Sequence, residues 1–405
     1  MEQALARGEP DTLSAFWDEV AATGAPLIEP AAGEDDAARE LLITFLARDR
    51  DGVERVWLRS ALMNDDEPAN HFERLPGSDV WYLTLRLRDD LHTVYQIAIR
   101  DAQTPPEATG DELGAPDPLN PRRFAIPNDD EGNPDPGEYF SASEIRLPGA
   151  PQQPYLAPRP GVAAGSVEMV RLRSELLGNE RRIWVYTPPD YTPDGEPYPL
   201  ALLFDGFAVT TLIPSPTIAD NLLAEGRVGP MVMIAIDSLE HETRVRELCC
   251  YQPFADFLAR ELLPWARARY HLTTDPARVV VAGQSAGGLA AAFVALRYPE
   301  LFGAALAQSG AFWWAPEDDL QPDWLVRAYA EAPRLPLRFY LEAGALETLI
   351  EERTRGSSIL SSSRRLRETL LAKGYPLTYA EFNGGHDYVR WRGTLADGLI
   401  ALMGR

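Results

Sequence analysis

A chain of 405 residues has room for two domains, and 45% apolar with 24% charged residues is the composition of a soluble globular protein. The formal net charge of −23 argues against nucleic acid or an anionic membrane surface as a partner. The opening stretch MEQALARGEP lacks a basic segment followed by an apolar one, and no run approaches membrane-spanning length, so neither a secretion signal nor a membrane anchor is expected.

The elements begin with a short helix expected over Asp11–Ala22. Strands follow. VWYLTLRLR (Val80–Arg88) puts Trp81, Leu83, Leu85 and Leu87 on one face and Tyr82, Thr84, Arg86 and Arg88 on the other, the alternation of a half-buried antiparallel strand. ELLITFLARD, RVWLRSALM and VYQIAIRD read alike, so residues 1–101 are expected to form a small all-β sandwich domain. Residues 102–165 carry TPPEATG, APDPLNPRR, NPDPG and APQQPYLAPRPG; such density of proline and glycine predicts a connector without core elements.

From 166 to 405 the pattern changes. RRIWVYTP, YPLALLFDG, GPMVMIAID, RVVVAGQS, LRFYLEAG and LTYAEFNGG are short apolar runs closed by Gly, Asp, Ser or Pro, and helical stretches such as FADFLARELLPWARAR lie between them. Apolar strands interleaved with helices predict a mostly parallel sheet with helices on both faces, an α/β domain. The only cysteines, Cys249 and Cys250, are neighbours, which suits neither a disulfide nor a four-ligand zinc site; a reducing cytoplasm is the expected compartment.

One motif carries chemistry. Gly283-Gln284-Ser285-Ala286-Gly287 is G-x-S-x-G, set between the valine strand RVVVAG and the alanine-rich helix GGLAAAFVALRY. Strand, tight turn and helix make the setting of a nucleophile elbow, which exposes the serine Oγ at a strained corner beside a helix N-terminus. A serine nucleophile needs a base, and the chain has five histidines: His71, His92, His241, His271 and His386. His386 closes the strand LTYAEFNGG near the C-terminus, the place of the base in an α/β-hydrolase. The acid should fall between serine and histidine in chain order. Glu347, just beyond LRFYLEAG, is the choice; Glu342 inside that strand and Asp387 beside the histidine are its rivals. An oxyanion hole needs two backbone N–H groups, one from Ala286 and the other from Gly206 or Phe207 after ALLFDG.

These pieces, together with QSGAFWW (Gln308–Trp314), GGHDYVRWRG (Gly384–Gly393) and the closing GLIALM, resemble the enterochelin (ferric enterobactin) esterases, an esterase-D-like group of α/β-hydrolases. In the first domain Phe16-Trp17, GAPLIE and PGSDVWYLTL fit the same resemblance, which spans nearly the whole chain. It implies a β-sandwich joined to a serine hydrolase that cuts the serine ester bonds of a catecholate siderophore inside the cell. Ser285 would be the nucleophile, His386 the base and Glu347 the acid. Arg244, in RVREL, matches an arginine that the family uses near its substrate. The loop after FDG reads FAVTT where enteric members carry a tryptophan, a difference beside the acyl site.

A ferric tris-catecholate is a trianion with aromatic faces, which guanidinium groups and indoles suit. Arg244, Arg390, Trp313, Trp314 and Trp391 are therefore the expected substrate contacts, within a loop set that also holds Arg246, Arg353, Arg355 and Arg392. No resident metal or cofactor is expected, since the iron would arrive bound to the small-molecule siderophore. Two other readings stay open: a hydrolase of other aromatic or carbohydrate-linked acyl esters, towards which the sandwich and DPLNP (Asp117–Pro121) point, and a siderophore binder without catalysis.

Overall fold

The computed structural model describes residues 11–31, 39–50, 52–62, 68–105, 107–133 and 135–404, so the decapeptide MEQALARGEP lies outside the described residues. The chain divides into two compact units: residues 1–151 with 383–389, and residues 152–382 with 390–405.

The first unit opens with a helix, Thr12–Thr23. Its strands are β1 (Leu27–Pro30), β2 (Glu40–Arg48), β3 (Val53–Ser60), β4 (Glu73–Arg74), β5 (Val80–Arg88), β6 (His92–Asp101), β7 (Gly114–Ala115), β8 (Arg123–Pro127) and β9 (Glu138–Arg146). They form two antiparallel sheets, β1-β2-β5-β4 and β3-β6-β9-β8, with β7 added to β6. Phe45 of β2 meets Tyr95 of β6 edge-on at 4.9 Å, so the two sheets bury their apolar faces against each other. The alternation read in β5 holds: Leu83 is buried and Leu85 and Leu87 half-buried, while Thr84, Arg86 and Arg88 are exposed.

The stretch 102–165 departs from its expected role as a connector. β8 and β9 lie inside it and extend the second sheet, with Phe124, Ala142 and Ile145 in the core. Proline is tolerated because β8 is the edge strand and Pro127 ends it. DPLNP is a turn: Asp117 accepts from the Leu119 N–H (2.8 Å) and from the buried Tyr95 hydroxyl (2.8 Å). Burial raises the Asp117 carboxyl above its usual range. Only the last part of the stretch behaves as a strap, where the Asn221 amide donates to the carbonyls of Tyr155 (2.9 Å) and Ala157 (3.0 Å).

The second unit is an eight-stranded sheet made of β10 (Ser166–Ser174), β11 (Asn179–Thr187), β12 (Leu200–Leu203), β13 (Val232–Ile236), β14 (Val279–Gln284), β15 (Ala304–Gln308), β16 (Arg338–Gly344) and β17 (Leu377–Phe382). The spatial order is β10-β11-β13-β12-β14-β15-β16-β17, antiparallel through the first two pairings and parallel beyond. Two of these strands go beyond the six apolar runs. β10 is a solvated edge, and β15, AALAQ, is built of residues with little strand preference that a buried site between β14 and β16 nevertheless holds extended. Val279, Val280 and Val281 are fully buried, each worth roughly 1.5–3 kcal/mol of transfer free energy, and they anchor the first half of β14. Cys249 and Cys250 are free thiols, and burial pushes the Cys249 thiol up to about 11. Among the described residues no helix is long and apolar enough to cross a membrane.

Candidate active site

β14 ends at Gln284, and the helix Ala286–Arg297 begins one residue later. The corner between them is Ser285, at φ 57°, ψ −121°, a conformation that L-residues rarely adopt. Its neighbours hold it there. The Ser285 N–H donates to the Gln308 carbonyl (3.0 Å), and the Ser285 carbonyl accepts from Leu289 (3.1 Å) and Ala311 (2.9 Å). Every residue from Val279 to Gln284 and from Ala286 to Ala295 is buried, while Ser285 is half-exposed, so the turn presents the one hydroxyl in the motif. Gly283 makes the bend possible: a Cβ there would lie 2.5 Å from the backbone carbon of Gly287.

Beneath the elbow runs a polar chain that the sequence reading missed. Gln284 Nε2 donates to Gln308 Oε1 (2.8 Å), and Gln308 Nε2 reaches Glu342 Oε1 (3.0 Å), Thr394 Oγ1 (2.7 Å) and the Trp391 carbonyl (3.0 Å). Thr394 and the Tyr340 hydroxyl, the latter at 2.9 Å, donate to the Glu342 carboxylate. Burial raises that carboxyl to about 7, against the hydrogen bonds from Thr394, Tyr340 and Gln308. Glu342 is 1% exposed and committed to this scaffold, which removes it as a rival of Glu347. The glutamines of GQS and QSG are the sequence trace of the chain.

Glu347 sits just past the C-terminal end of β16. Its Oε2 accepts from the Gly344 N–H (2.6 Å), its own N–H donates to the Gly344 carbonyl (3.1 Å), and it is 6% exposed.

His386 follows β17 on an exposed turn, and residues 383–389 pack with the first unit. Several contacts hold this loop. The Asn383 amide donates to Asp90 (2.7 Å), the Thr93 hydroxyl donates to Asp387 Oδ2 (2.7 Å), and Gly385 abuts Ala61, so closely that a Cβ on the glycine would lie 1.9 Å from the alanine methyl. With its carboxylate bonded to Thr93, Asp387 serves the loop, which weakens it as a rival acid. The other histidines have structural places: His92 is buried against Glu144 (2.8 Å), His271 meets the Gly195 carbonyl (3.0 Å), His71 bridges to Trp57, and His241 starts a helix.

The remaining expected site residues divide. Gly206 is corrected as an oxyanion donor: its N–H already donates to the Ile236 carbonyl (2.8 Å). Ala286 and Phe207 are the first residue of the long helix and the residue before the short helix Ala208–Thr211. Arg244, expected near the substrate, is bound two-pronged to Asp205 and braces the loop after β12. Trp391 is 3% exposed with its Nε1 donating to Ser309 Oγ (3.0 Å), and Arg390 is buried over the Phe382 ring; both are corrected from substrate contacts to packing. The helix Tyr388–Met403 begins just before them and carries their side chains inward. Trp313 and Trp314 are half-buried, the first beneath the Arg353 guanidinium (5.5 Å), the second edge-on to Trp324 (6.2 Å). Among the described residues no group of three or more His, Cys, Asp or Glu is arranged to hold a metal ion.

Sheet order, elbow and appended all-β unit define an α/β-hydrolase with an N-terminal β-domain. Comparison with known proteins narrows this. The family model "Esterase" matches residues 174–402, and the model for the N-terminal domain of enterochelin esterase matches 42–156, which covers β8 and β9. The iron(III) enterobactin esterase of Dickeya dadantii is 34% identical over 96% of this chain and 92% of its own. The ferric enterobactin esterase of Salmonella typhimurium superposes with a TM-score of 0.76 at 28% identity, covering 96% of this chain and 98% of that one. The Shigella flexneri enterobactin esterase, crystallised in the presence of enterobactin, gives 0.73 at 27% identity over 96% and 97%. The chain belongs to the iron(III) enterobactin esterase family.

Proposed function

We propose that this protein is a serine esterase that hydrolyses the serine ester bonds of a ferric catecholate siderophore, by way of an acyl-enzyme, and so releases iron in the cytoplasm. The observation that carries the reading is Ser285 held at φ 57°, ψ −121° on the corner between β14 and its helix, the backbone setting of a nucleophile elbow.

Ser285 Oγ attacks the ester carbonyl while His386 takes the hydroxyl proton, and Glu347 steadies the imidazolium. The oxyanion is met by the N–H groups of Ala286, at the positive end of the helix dipole, and of Phe207. As the tetrahedral intermediate collapses, the ester C–O bond breaks and His386 returns the proton to the departing seryl oxygen. Water, deprotonated by His386, then attacks the acyl carbon; the bond from that carbon to Ser285 Oγ breaks, and His386 returns the proton to Oγ. The iron belongs to the substrate. Opening the lactone separates chelating arms that had been held at high effective concentration, which weakens their grip on the metal.

The test is incubation of the protein with ferric enterobactin and with a nitrophenyl ester, the products being separated by chromatography. Linear dihydroxybenzoyl-serine products from the parent, and none from Ser285→Ala, support the reading. Turnover of the nitrophenyl ester alone would move the function to other aromatic acyl esters.

A further inference from the structure

The first unit holds a cavity of about 640 Å³, within the size range of small-molecule sites. Arg59 comes from β3, Gln96 from β6, and Tyr139 and Phe140 from β9; His386 and Asp387 come from the loop after β17. The β-domain therefore shares one concave surface with the histidine read as the catalytic base.

The lining has a consistent chemistry. Tyr139 stands 78% exposed at this surface with Phe140 next to it, a pair of aromatic side chains where an all-β domain would ordinarily show polar residues. The Arg59 guanidinium, oriented by a hydrogen bond to Gln96 Oε1 (2.9 Å), brings a positive charge to the same wall. Asp387, the lining carboxylate, is 7% exposed and accepts from the Thr93 hydroxyl. Aromatic faces with a guanidinium suit a planar, electron-rich, anionic ring.

We infer that the β-domain carries a recognition subsite for one catecholate arm of the substrate, with Tyr139 and Phe140 stacking on the ring and Arg59 facing its oxygens. The inference rests on the function proposed above. An arm seated in this cavity keeps its ester close to His386, so the β-domain selects aromatic siderophore esters over small esters.

The experiment measures ferric enterobactin binding by fluorescence quenching in a Ser285→Ala background, and kcat and KM in the active enzyme, for Tyr139→Ala and Tyr139→Phe. An exposed tyrosine can be truncated without disturbing the fold, and equal melting temperatures of the two variants check this. Tyr139→Ala is expected to weaken binding about tenfold, the scale of one aromatic contact, and to lower kcat/KM for ferric enterobactin relative to nitrophenyl acetate by a similar factor. Tyr139→Phe is expected to restore both to within about twofold, since the ring does the work. A parent enzyme that turns over ferric enterobactin, with Tyr139→Ala matching its KM and affinity, overturns the subsite alone. A parent that does not cleave ferric enterobactin overturns the functional reading itself.

Discussion

Asp205 and Arg244 are locked together: Nε and Nη2 of the arginine each donate to a separate carboxylate oxygen, both at 2.6 Å. Asp205 ends the run after β12 at φ 58°, also accepts from the Ser238 hydroxyl, and stands two residues before Phe207. The pair therefore fixes the loop that supplies one of the proposed oxyanion donors. Arg244→Ala is expected to destabilise the protein by about 1–3 kcal/mol, since a nearly buried carboxylate loses its fork-like partner. It is also expected to lower kcat for ferric enterobactin and nitrophenyl acetate alike. A loss confined to the siderophore would restore Arg244 as a ligand.

Gly283→Ala tests the elbow without touching its hydroxyl. The new methyl would meet backbone atoms of Gly287, which cannot swing away as a side chain could. Overpacking of this kind costs about 1–3 kcal/mol, and esterase activity is expected to fall with it because the strain is relieved by moving Ser285. Thermal melting and nitrophenyl acetate turnover measure the two effects.

Glu347→Gln keeps the size of the side chain and removes its charge. If the carboxylate orients His386 and stabilises its protonated form, kcat should drop by about 10²–10⁴-fold with KM little changed. Asp387→Asn, by contrast, should act mainly through its loop and lose much less. Reversal of that order would exchange their roles.

Glu342 gives a pH signature. Its carboxyl is raised from 4.5 to about 7 in the folded protein, so the native state binds more protons than the unfolded one between those values. Its contribution to stability is thus fully present below about pH 4.5 and is lost as pH rises through about 7, a difference of up to about 3 kcal/mol. Glu342→Gln should flatten this part of the stability profile in urea denaturation between pH 5 and pH 8. An unchanged slope would mean that Glu342 is ionised throughout.

The candidate nucleophile, base and acid could be picked out because each rests on a local signal: a glycine-flanked serine after a valine strand, a histidine after the last strand, a glutamate one turn past β16. Chain order then joined them. Arg390 and Trp391 read as exposed ligands because burial is not a local property. GGHDYVRWRG looks like a polar loop rich in ligands, yet the helix starts at Tyr388, and its period turns Trp391, Leu395 and Leu399 into the core. β8 and β9 were hidden for a related reason. Their prolines sit at an edge strand and in the turn between them, where a missing N–H costs nothing. Glu342 lies inside a strand, and the three side chains that bond its carboxylate come from β15, β16 and the last helix and share no sequence pattern.

The tight fit of Gly385 against Ala61 has a consequence for how this protein can change over generations. The base of the proposed triad sits on seven residues that fold as part of the β-domain, so Ala61 and Thr93 constrain chemistry encoded some 300 positions away. A duplication or truncation that freed the hydrolase sequence from its first 151 residues would strand the histidine loop without its footing. A substitution at Ala61 is therefore expected to reach the proposed base through its loop, and not the β-domain alone.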